Sequence, residues 1–319
     1  MGQILSEPVT LKDTSACQST QLKVGISSMQ GWRNTMEDAH THLVSLPDDE
    51  SAAFFGVYDG HGGSKFAEYA STHLHKILVN LEEYKSGNYE AALKKSFLEC
   101  DNDMRAVFEP TFESGGTTAV TILIKDNKLY CGNAGDSRAV ASVNGKALPL
   151  SEDHKPYIER EKRRIENAGG WVDFDRVNGN LALSRALGDF SMKAKKDLPP
   201  QEQIVTGDPD VTIHEKTEDW EFVILACDGI WDVVSSQEAV DFVRNHLASG
   251  TQEPEEICEA LMDHCLAPDS QLGGIGYDNM SVIIVCFLPP ADTVEASYKL
   301  LVEKCGKAKS GDEKVESAE

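Results

Sequence analysis

The sequence lacks the features that would place it in several specialised classes of protein. It contains no run of about 18 or more apolar residues, so we expect no membrane-spanning helix. Its N-terminus has no basic stretch followed by an apolar one, so we expect no secretory signal. Its eight cysteines form no Cys-x-x-Cys pair, and several lie inside apolar runs. We therefore expect buried free thiols in a protein of a reducing compartment.

Positive charge is also scarce. Lys and Arg together number 30 against 53 for Asp and Glu, which gives a net charge of −23. A nucleic-acid partner would need a basic surface, so this composition argues against one. Acidity of this kind usually serves solubility, and it also fits a protein that collects cations where its carboxylates converge. Composition by itself leaves both interpretations open.

Strand-like and helical patterns follow each other in blocks along the 319 residues, without a solenoid-type repeat. The strand-like runs are 23–31, 52–60, 117–135, 137–150, 220–229 and 279–288. Tight turns are predicted at Asp126-Asn127 and Asn144-Gly145. Helical spacing covers 64–81 and 88–108, and further helices are predicted from a capping box (Ser235 with Glu238) and from Pro254. Because strands mostly follow strands and helices come in pairs, we predict an α+β fold with antiparallel sheets rather than a doubly wound parallel sheet.

Two segments differ from the rest. Residues 156–205 begin with a charged helical pattern that ends at Gly169-Gly170, and then mix turns with basic residues. We interpret this segment as a surface excursion beside the core. After Pro290 one short amphipathic pattern is followed by a charged, apolar-poor stretch, which we expect to be disordered.

Acidic residues recur where apolar runs end or begin. They are Asp59, Asp136, Asp228, Asp232 and Asp278, and the pair Glu37-Asp38 lies in "GWRNTMEDAH". One Asp-Gly alone is typical of a turn, but several such sites favour a cluster because the edges of neighbouring strands meet at one rim. Clustered carboxylates repel each other unless cations hold them. Since the ligands are oxygens without a Cys or His cluster, we predict Mg²⁺ or Mn²⁺ rather than Zn²⁺.

Seven segments together resemble one known family. The segments "RNTMEDAH", "GVYDGHGG", "SGGTTAV", "GNAGDSRAV", "VNGNLALSRALGDF", "ILACDGIWDV" and "GYDNMSVIIV" resemble, in this order, the motifs of the metal-dependent protein serine/threonine phosphatases, the protein phosphatase 2C family. The resemblance covers roughly residues 20 to 290. It implies a catalytic domain over 21–290 with a flap around 156–205, a separate N-terminal segment 1–20 and a tail 291–319.

The resemblance also implies a fold and a metal site. The fold is a central β-sandwich of two antiparallel sheets flanked by pairs of helices, in four αββα layers, with two Mg²⁺ or Mn²⁺ ions at one end. By motif match Asp59 bridges both ions, Gly60 lends its carbonyl, and Asp228 and Asp278 bind one ion directly. Glu37 and Asp38 match residues that hold the water molecules of the ions. Asp136 and Asp232 match positions that, together with Asp228, form a weaker site for a third ion in some family members.

The implied reaction is hydrolysis of phosphoserine and phosphothreonine. Two adjacent cations lower the pKa of a shared water, and the resulting hydroxide attacks the phosphorus. Arg33 matches the phosphate-binding arginine, and its planar fork suits two phosphate oxygens. His61 matches the general acid for the leaving oxygen. Arg176, in the flap, is a candidate for contact with the substrate, whereas His154 matches a family position for which we expect a structural role.

The N-terminal "MGQILS" fits the N-myristoylation pattern at Gly2, with Ser6 in the last position. One acyl chain gives only marginal membrane binding. We expect a cytoplasmic or nuclear monomer that acts on phosphorylated proteins, protein kinases among them. Two alternatives stay open: a catalytically weak domain that binds phosphoproteins, and a two-metal phosphoesterase for small molecules.

Overall fold

The computed structural model describes residues 4–111, 113–250, 252–269 and 274–307. Within these ranges the strands are β1 (Ile4–Gln18), β2 (Leu22–Arg33), β3 (Ala39–Leu43), β4 (Ala53–Tyr58), β5 (Gly60–His61), β6 (Gly116–Thr117), β7 (Ala119–Lys125), β8 (Lys128–Ala134), β9 (Arg138–Val143), β10 (Lys146–Pro149), β11 (Val172–Asp173), β12 (Arg176–Val177), β13 (Leu187–Gly188), β14 (Asp210–Glu215), β15 (Trp220–Ala226) and β16 (Met280–Phe287). The α-helices are α1 (Lys65–Asn80), α2 (Glu82–Lys85), α3 (Tyr89–Phe108), α4 (Glu159–Asn167), α5 (Asp228–Trp231), α6 (Ser236–Ser249), α7 (Pro254–Cys265) and α8 (Val294–Gly306).

Two antiparallel sheets form the centre of the molecule. One has the strand order β1-β2-β16-β15-β9-β10, and the other has the order β14-β8-β7-β4-β3. The apolar residues between them come from both sheets, for example Ile26 and Val285 from the first and Phe55 and Ile122 from the second. These strands are continuous apolar runs rather than alternating ones because each sheet is covered on both faces.

Helices cover the outer face of each sheet. Leu261 of α7 and Val243 of α6 pack with Ile284 of β16, and Leu74 of α1 and Phe97 of α3 pack in the corresponding cluster on the second sheet. The four αββα layers confirm the predicted fold class. No helix in the described ranges is long and apolar enough to cross a membrane.

The predicted turns and helix ends are confirmed. Asn144 and Gly145 have φ of 50° and 74° between β9 and β10, and Asp126 and Asn127 have φ of 51° and 60° between β7 and β8. Positive φ at both central residues is the geometry of a type I′ hairpin turn. The capping box opens α6, and a proline is the first residue of α7. All eight cysteines are free, seven of them buried and Cys17 half-buried.

Three strands of the two central sheets escaped the sequence prediction, and each of them is an edge strand. They are β1, β3 and β14. An edge strand has one side without a partner strand, so it carries polar and charged residues and loses the apolar run that marks an inner strand. The expected separate N-terminal segment 1–20 is therefore largely β1, which pairs with β2 from Ile4 to Gln18.

The segment 156–205 has its own small core beside the sandwich. Helix α4 and the β11–β12 ribbon pack around Ile165, Val177 and Val205. Buried Glu161 of α4 forms ion pairs with Arg164 and Arg185, and Arg185 also binds Asp210 of β14 at 2.8 Å. The ion pair between Arg185 and Asp210 attaches the segment 156–205 to the edge of the second sheet.

Candidate active site

The acidic residues meet at one end of the sandwich. Asp59 follows the last residue of β4, Asp228 begins α5 just after β15, and Asp278 precedes β16. Asp38 lies just before β3 and reaches the other sheet, where its carboxylate accepts a hydrogen bond from Ser281 Oγ of β16 at 2.8 Å. Antiparallel pairing brings strand starts and strand ends to the same rim, so residues far apart in sequence converge there.

Asp59 is held in place through its backbone. Its N–H donates to Thr118 Oγ1 at 3.1 Å, and its carbonyl accepts from the N–H of Thr118 at 2.9 Å. The pKa of the Asp59 carboxyl is raised well above its ordinary value, first by burial and then by repulsion from Asp228, Asp38 and other carboxylates. Without cations, burial and the neighbouring carboxylates therefore favour the protonated form of this carboxyl.

Asp228 and Asp38 share this environment. Burial raises the pKa of Asp228 well above its ordinary value, and Asp136, Asp278 and Asp232 add repulsion. Burial also raises the pKa of Asp38 to about 7, although its hydrogen bond from Ser281 opposes the rise. These mutual effects show that the acidic residues form one electrostatic cluster.

Two buried carboxylate oxygens in this cluster have no hydrogen-bond partner among the described residues. They are Asp38 Oδ1 and Asp136 Oδ1. A buried polar atom without a partner costs free energy, so each of these oxygens fits a ligand that carries positive charge. The available donors are oxygens, which suit hard divalent cations such as Mg²⁺ or Mn²⁺.

Cys227 lies within this group, since its sulfur, one oxygen of Asp38 and one of Asp59 all lie within 4.8 Å of one another. Burial raises the pKa of the Cys227 thiol well above its ordinary value, and neighbouring carboxylates raise it further. The thiol donates to the carbonyl of Asn279 at 3.4 Å and accepts from the N–H of Ser281 at 3.2 Å. A neutral, hydrogen-bonded thiol is a poor ligand for a hard ion, so we assign Cys227 a structural role.

Glu37 and the glycine turn after Asp59 fit each other closely. Glu37 Oε2 accepts a hydrogen bond from the N–H of Gly63 at 2.9 Å. A Cβ at Gly60 would lie 2.3 Å from the carbonyl oxygen of Glu37, so only glycine fits there. Gly62 and Gly63 have φ of 73° and 116°, which favours glycine at both positions. The glycines of "DGHGG" thus shape a turn that brings the backbone of Gly60 against Glu37.

Arg33 lies at the rim of the cluster at the end of β2. Its side chain is 44% exposed, and its guanidinium donates to Asp278 Oδ2. Asp278 Oδ1 accepts from the N–H of Asn279 at 2.8 Å. The structure therefore brings Arg33 against a predicted metal ligand while leaving the guanidinium open to solvent.

His61 contacts a carboxylate that the sequence interpretation did not single out. The distance between His61 Nε2 and Asp189 Oδ2 is 2.8 Å. Because an ionised carboxylate can only accept, Nε2 carries the proton and donates it. Burial lowers the pKa of His61, but the hydrogen bond and charge of Asp189 outweigh this effect, so the pKa is raised. The signal for Asp189 was present in "SRALGDF", but nothing in the sequence shows which residue it would face.

The third-site candidates lie beside a lysine. Asp136 is almost fully buried, and its Oδ2 accepts from Lys155 Nζ at 2.5 Å. Asp232, whose pKa is raised by burial, lies close enough to Lys155 for the ammonium to oppose the rise. Lys155 is a second residue that the sequence interpretation missed.

Arg176 and His154 are not part of the acidic cluster. Arg176 is exposed on β12 and donates to the carbonyl of Asn180 at 2.6 Å. Across the described part of the chain, no hydrogen bond or ion pair joins it to the acidic cluster. His154 is fully buried: Nδ1 accepts from the N–H of Gly135 at 3.1 Å, and Nε2 donates to Asp210 Oδ2 at 3.2 Å. His154 therefore positions the loop that precedes Asp136.

Comparisons with known proteins show the family to which this chain belongs. A family model described as Protein phosphatase 2C matches residues 22–272, a range that ends just before Asp278. A probable protein phosphatase 2C of Caenorhabditis elegans is 59% identical over 288 residues, covering 90% of this chain and 81% of that protein. Protein phosphatase 2C homolog 2 of Schizosaccharomyces pombe is 51% identical over 293 residues, covering 90% and 79%.

Solved structures agree with the sequence matches. The crystal structure of a phosphatase from a pathogenic strain of Toxoplasma gondii superposes with a TM-score of 0.74 at 28% identity, covering 87% of this chain and 96% of that chain. A second structure, titled as a Caenorhabditis elegans sex determining protein, has a TM-score of 0.72 at 27% identity and covers 87% and 67%. Both the sequence matches and the structural matches therefore cover most of this chain.

Proposed function

Because the chain belongs to the protein phosphatase 2C family, and is a protein serine/threonine phosphatase that acts on phosphoproteins, we propose that it hydrolyses phosphoserine and phosphothreonine with two Mg²⁺ or Mn²⁺ ions held by its acidic cluster. The observation that carries this proposal is the convergence of buried carboxylates whose pKa values are raised by one another. Such a cluster is stable in its ionised form only when cations compensate it. The non-catalytic and small-molecule alternatives are not favoured.

The proposed ligands follow from the motif matches. Asp59 would contact both ions, Asp228 and Asp278 one ion, and Gly60 would contribute its carbonyl. The waters of the ions would be held by Glu37 and Asp38. When bound, two such ions lower the pKa of a shared water and offset negative charge on the phosphate oxygens. A third, weaker ion would lie among Asp136, Asp228 and Asp232.

The protein's own groups would position the substrate and supply the proton. Arg33 would bind two phosphate oxygens through its exposed guanidinium, while Asp278 orients it from the other side. As the oxygen of water bonds to phosphorus and the bond to the serine or threonine oxygen breaks, His61 would donate its proton to that leaving oxygen. Asp189 favours the protonated form of His61 that this step needs. Arg176 stays a candidate for substrate contact from the flap.

Several further properties are proposed from the family likeness alone. We propose that protein kinases are among the substrates, that the protein is a monomer, and that it is located in the cytoplasm or the nucleus. Weak membrane contact would follow if Gly2 is acylated, but Gly2 lies outside the described residues. Intact mass of the protein from its native cell would decide this point, since a free or acetylated N-terminus excludes the acyl chain.

Metal removal tests the central proposal. EDTA should abolish hydrolysis of a phosphothreonine peptide, and millimolar Mg²⁺ or Mn²⁺ should restore it. A nucleotide monophosphate serves as the comparison substrate and should be hydrolysed far more slowly. Full activity in metal-free buffer would contradict the two-metal site, and a preference for the nucleotide would contradict the proposed substrate class.

A further inference from the structure

Lys155 places one positive charge beside three carboxylates, those of Asp136, Asp228 and Asp232. Its ammonium donates to Asp136 Oδ2 at 2.5 Å, with 22% of the lysine side chain and 2% of the aspartate side chain exposed. The charges of Asp228 and Asp232, which lie one turn apart at α5, also act on Lys155. The lysine thus occupies the position in which a cation would be stabilised.

The backbone that carries Lys155 is fixed. The N–H of His154 donates to the carbonyl of Gly135 at 2.9 Å, while the N–H of Gly135 donates back to His154 Nδ1. Asn133 Nδ2 donates to the carbonyl of Glu152 at 2.9 Å. These hydrogen bonds therefore hold the loop that carries Lys155 against the loop that carries Asp136. The ammonium can leave Asp136 only by rotation of the flexible lysine side chain.

One ammonium does not neutralise this group of carboxylates. Asp136 Oδ1 stays buried without a hydrogen-bond partner among the described residues. A divalent cation would satisfy this unpartnered oxygen, but that cation and the ammonium would repel each other a few ångström apart.

We propose that Lys155 is a tethered competitor of the third cation, so that the ammonium and a divalent ion exclude each other at Asp136. This inference rests on the proposed two-metal function and adds a residue that sets the affinity of the additional ion. The lysine holds Asp136 in place when the third ion is absent and keeps that ion weakly bound. Occupancy of the third position then requires the lysine stem to rotate away.

Calorimetry with Mn²⁺ tests the competition. Lys155→Met keeps the apolar stem and removes the charge. We expect it to tighten the weakest Mn²⁺ site by about 10- to 100-fold, because a nearby positive charge has been removed. Lys155→Arg keeps the charge and should leave that site as weak as in the unchanged protein. Lys162→Met is the matched control, because Lys162 lies on α4 and pairs only loosely with Glu166 at 3.9 Å.

A second substitution identifies the ligand. Asp136→Asn added to Lys155→Met should remove the tightened site and leave the two stronger sites in place. If Lys155→Met does not fold, Lys155→Gln carries the same expectation, because glutamine still donates a hydrogen bond to Asp136 without a charge. Circular dichroism confirms the fold of each variant before titration.

Each result decides the proposal. Unchanged or weaker binding at the third site in folded Lys155→Met or Lys155→Gln would overturn the competition, as would the absence of any third site in them. A tightened site that survives Asp136→Asn would overturn the assignment to Asp136. If every variant binds Mn²⁺ at two strong sites, this result supports the proposed two-metal function, independently of the result at the third site. If no protein binds Mn²⁺, both proposals fail.

Discussion

His61 and Asp189 are 128 positions apart in the sequence, yet the distance between Nε2 of the histidine and Oδ2 of the aspartate is 2.8 Å. Asp189 adopts a left-handed backbone conformation with φ of 49°, and its N–H donates to the carbonyl of Gly115 at 2.8 Å. A strained conformation of this kind is held in place by its surroundings. The segment 156–205 thus supplies the carboxylate that orients a histidine of the sandwich, and this contact links the segment to the sandwich at the site.

His61→Gln should separate substrates by the basicity of their leaving group. A serine or threonine alkoxide needs a proton as it leaves, whereas a nitrophenolate does not. Loss of a general acid costs roughly 10²–10⁴ in rate. We expect a loss of that order on a phosphothreonine peptide and a much smaller one on p-nitrophenyl phosphate. Equal losses on both substrates, measured as kcat, would assign His61 to positioning instead.

Asp189→Asn should reproduce part of this effect. Asparagine keeps the shape of the side chain but removes the charge that raises the pKa of His61. The protonated form of His61 should then be lost at lower pH, so the alkaline limb of the kcat profile on the peptide should move to lower pH. An unmoved limb with reduced kcat would mean that Asp189 has only a structural role. His61→Gln, which has no imidazole to titrate, is the control.

Asp228→Asn should abolish most activity while leaving the fold intact. The substitution nearly keeps the shape of a buried side chain but removes one ligand charge. Because burial and repulsion already raise the pKa of Asp228, removal of its charge should not destabilise the metal-free protein. We expect a severe loss of phosphopeptide hydrolysis with an unchanged or higher melting temperature in EDTA. Normal turnover at moderate Mg²⁺ would exclude Asp228 from the site.

Metal binding should release protons below neutral pH. The pKa of Asp38 is raised to about 7, above its ordinary value, so the metal-free protein holds an extra proton between about pH 4 and 7. A cation favours the carboxylate and expels that proton, so affinity for Mg²⁺ should rise as the pH increases across this window. Calorimetry in buffers of different ionisation enthalpy measures the released protons.

Asp38→Asn provides the comparison for this experiment. It should release fewer protons per Mg²⁺ at pH 6 than the unchanged protein, because one of the titrating carboxyls is gone. An equal release from both proteins would show that Asp38 is not among the groups that lose a proton. Asp59 has a raised pKa as well, so some release should remain in the variant.

The inner strands were predictable because their chemistry is local. Residues 53–58 and 280–287 are apolar on both faces, and a continuous apolar run between turn residues predicts a buried strand. The edge strands β1, β3 and β14 were not, because a strand with one solvent-facing edge has the composition of a loop. The fourth edge strand, β10, was predicted only because the Asn144-Gly145 turn signal precedes it.

The sequence by itself determined the order of the inner strands and of the longer helices, the fold class and the acidic residues of the motifs, because apolar runs, turns and motifs consist of neighbouring residues. Only the tertiary structure decided the contacts of Asp189 with His61 and of Lys155 with Asp136. It also decided the neutral state of the Cys227 thiol and the raised pKa of Asp38. These properties depend on burial and on distances between atoms of different strands and loops, and a linear spacing of residues does not encode either quantity.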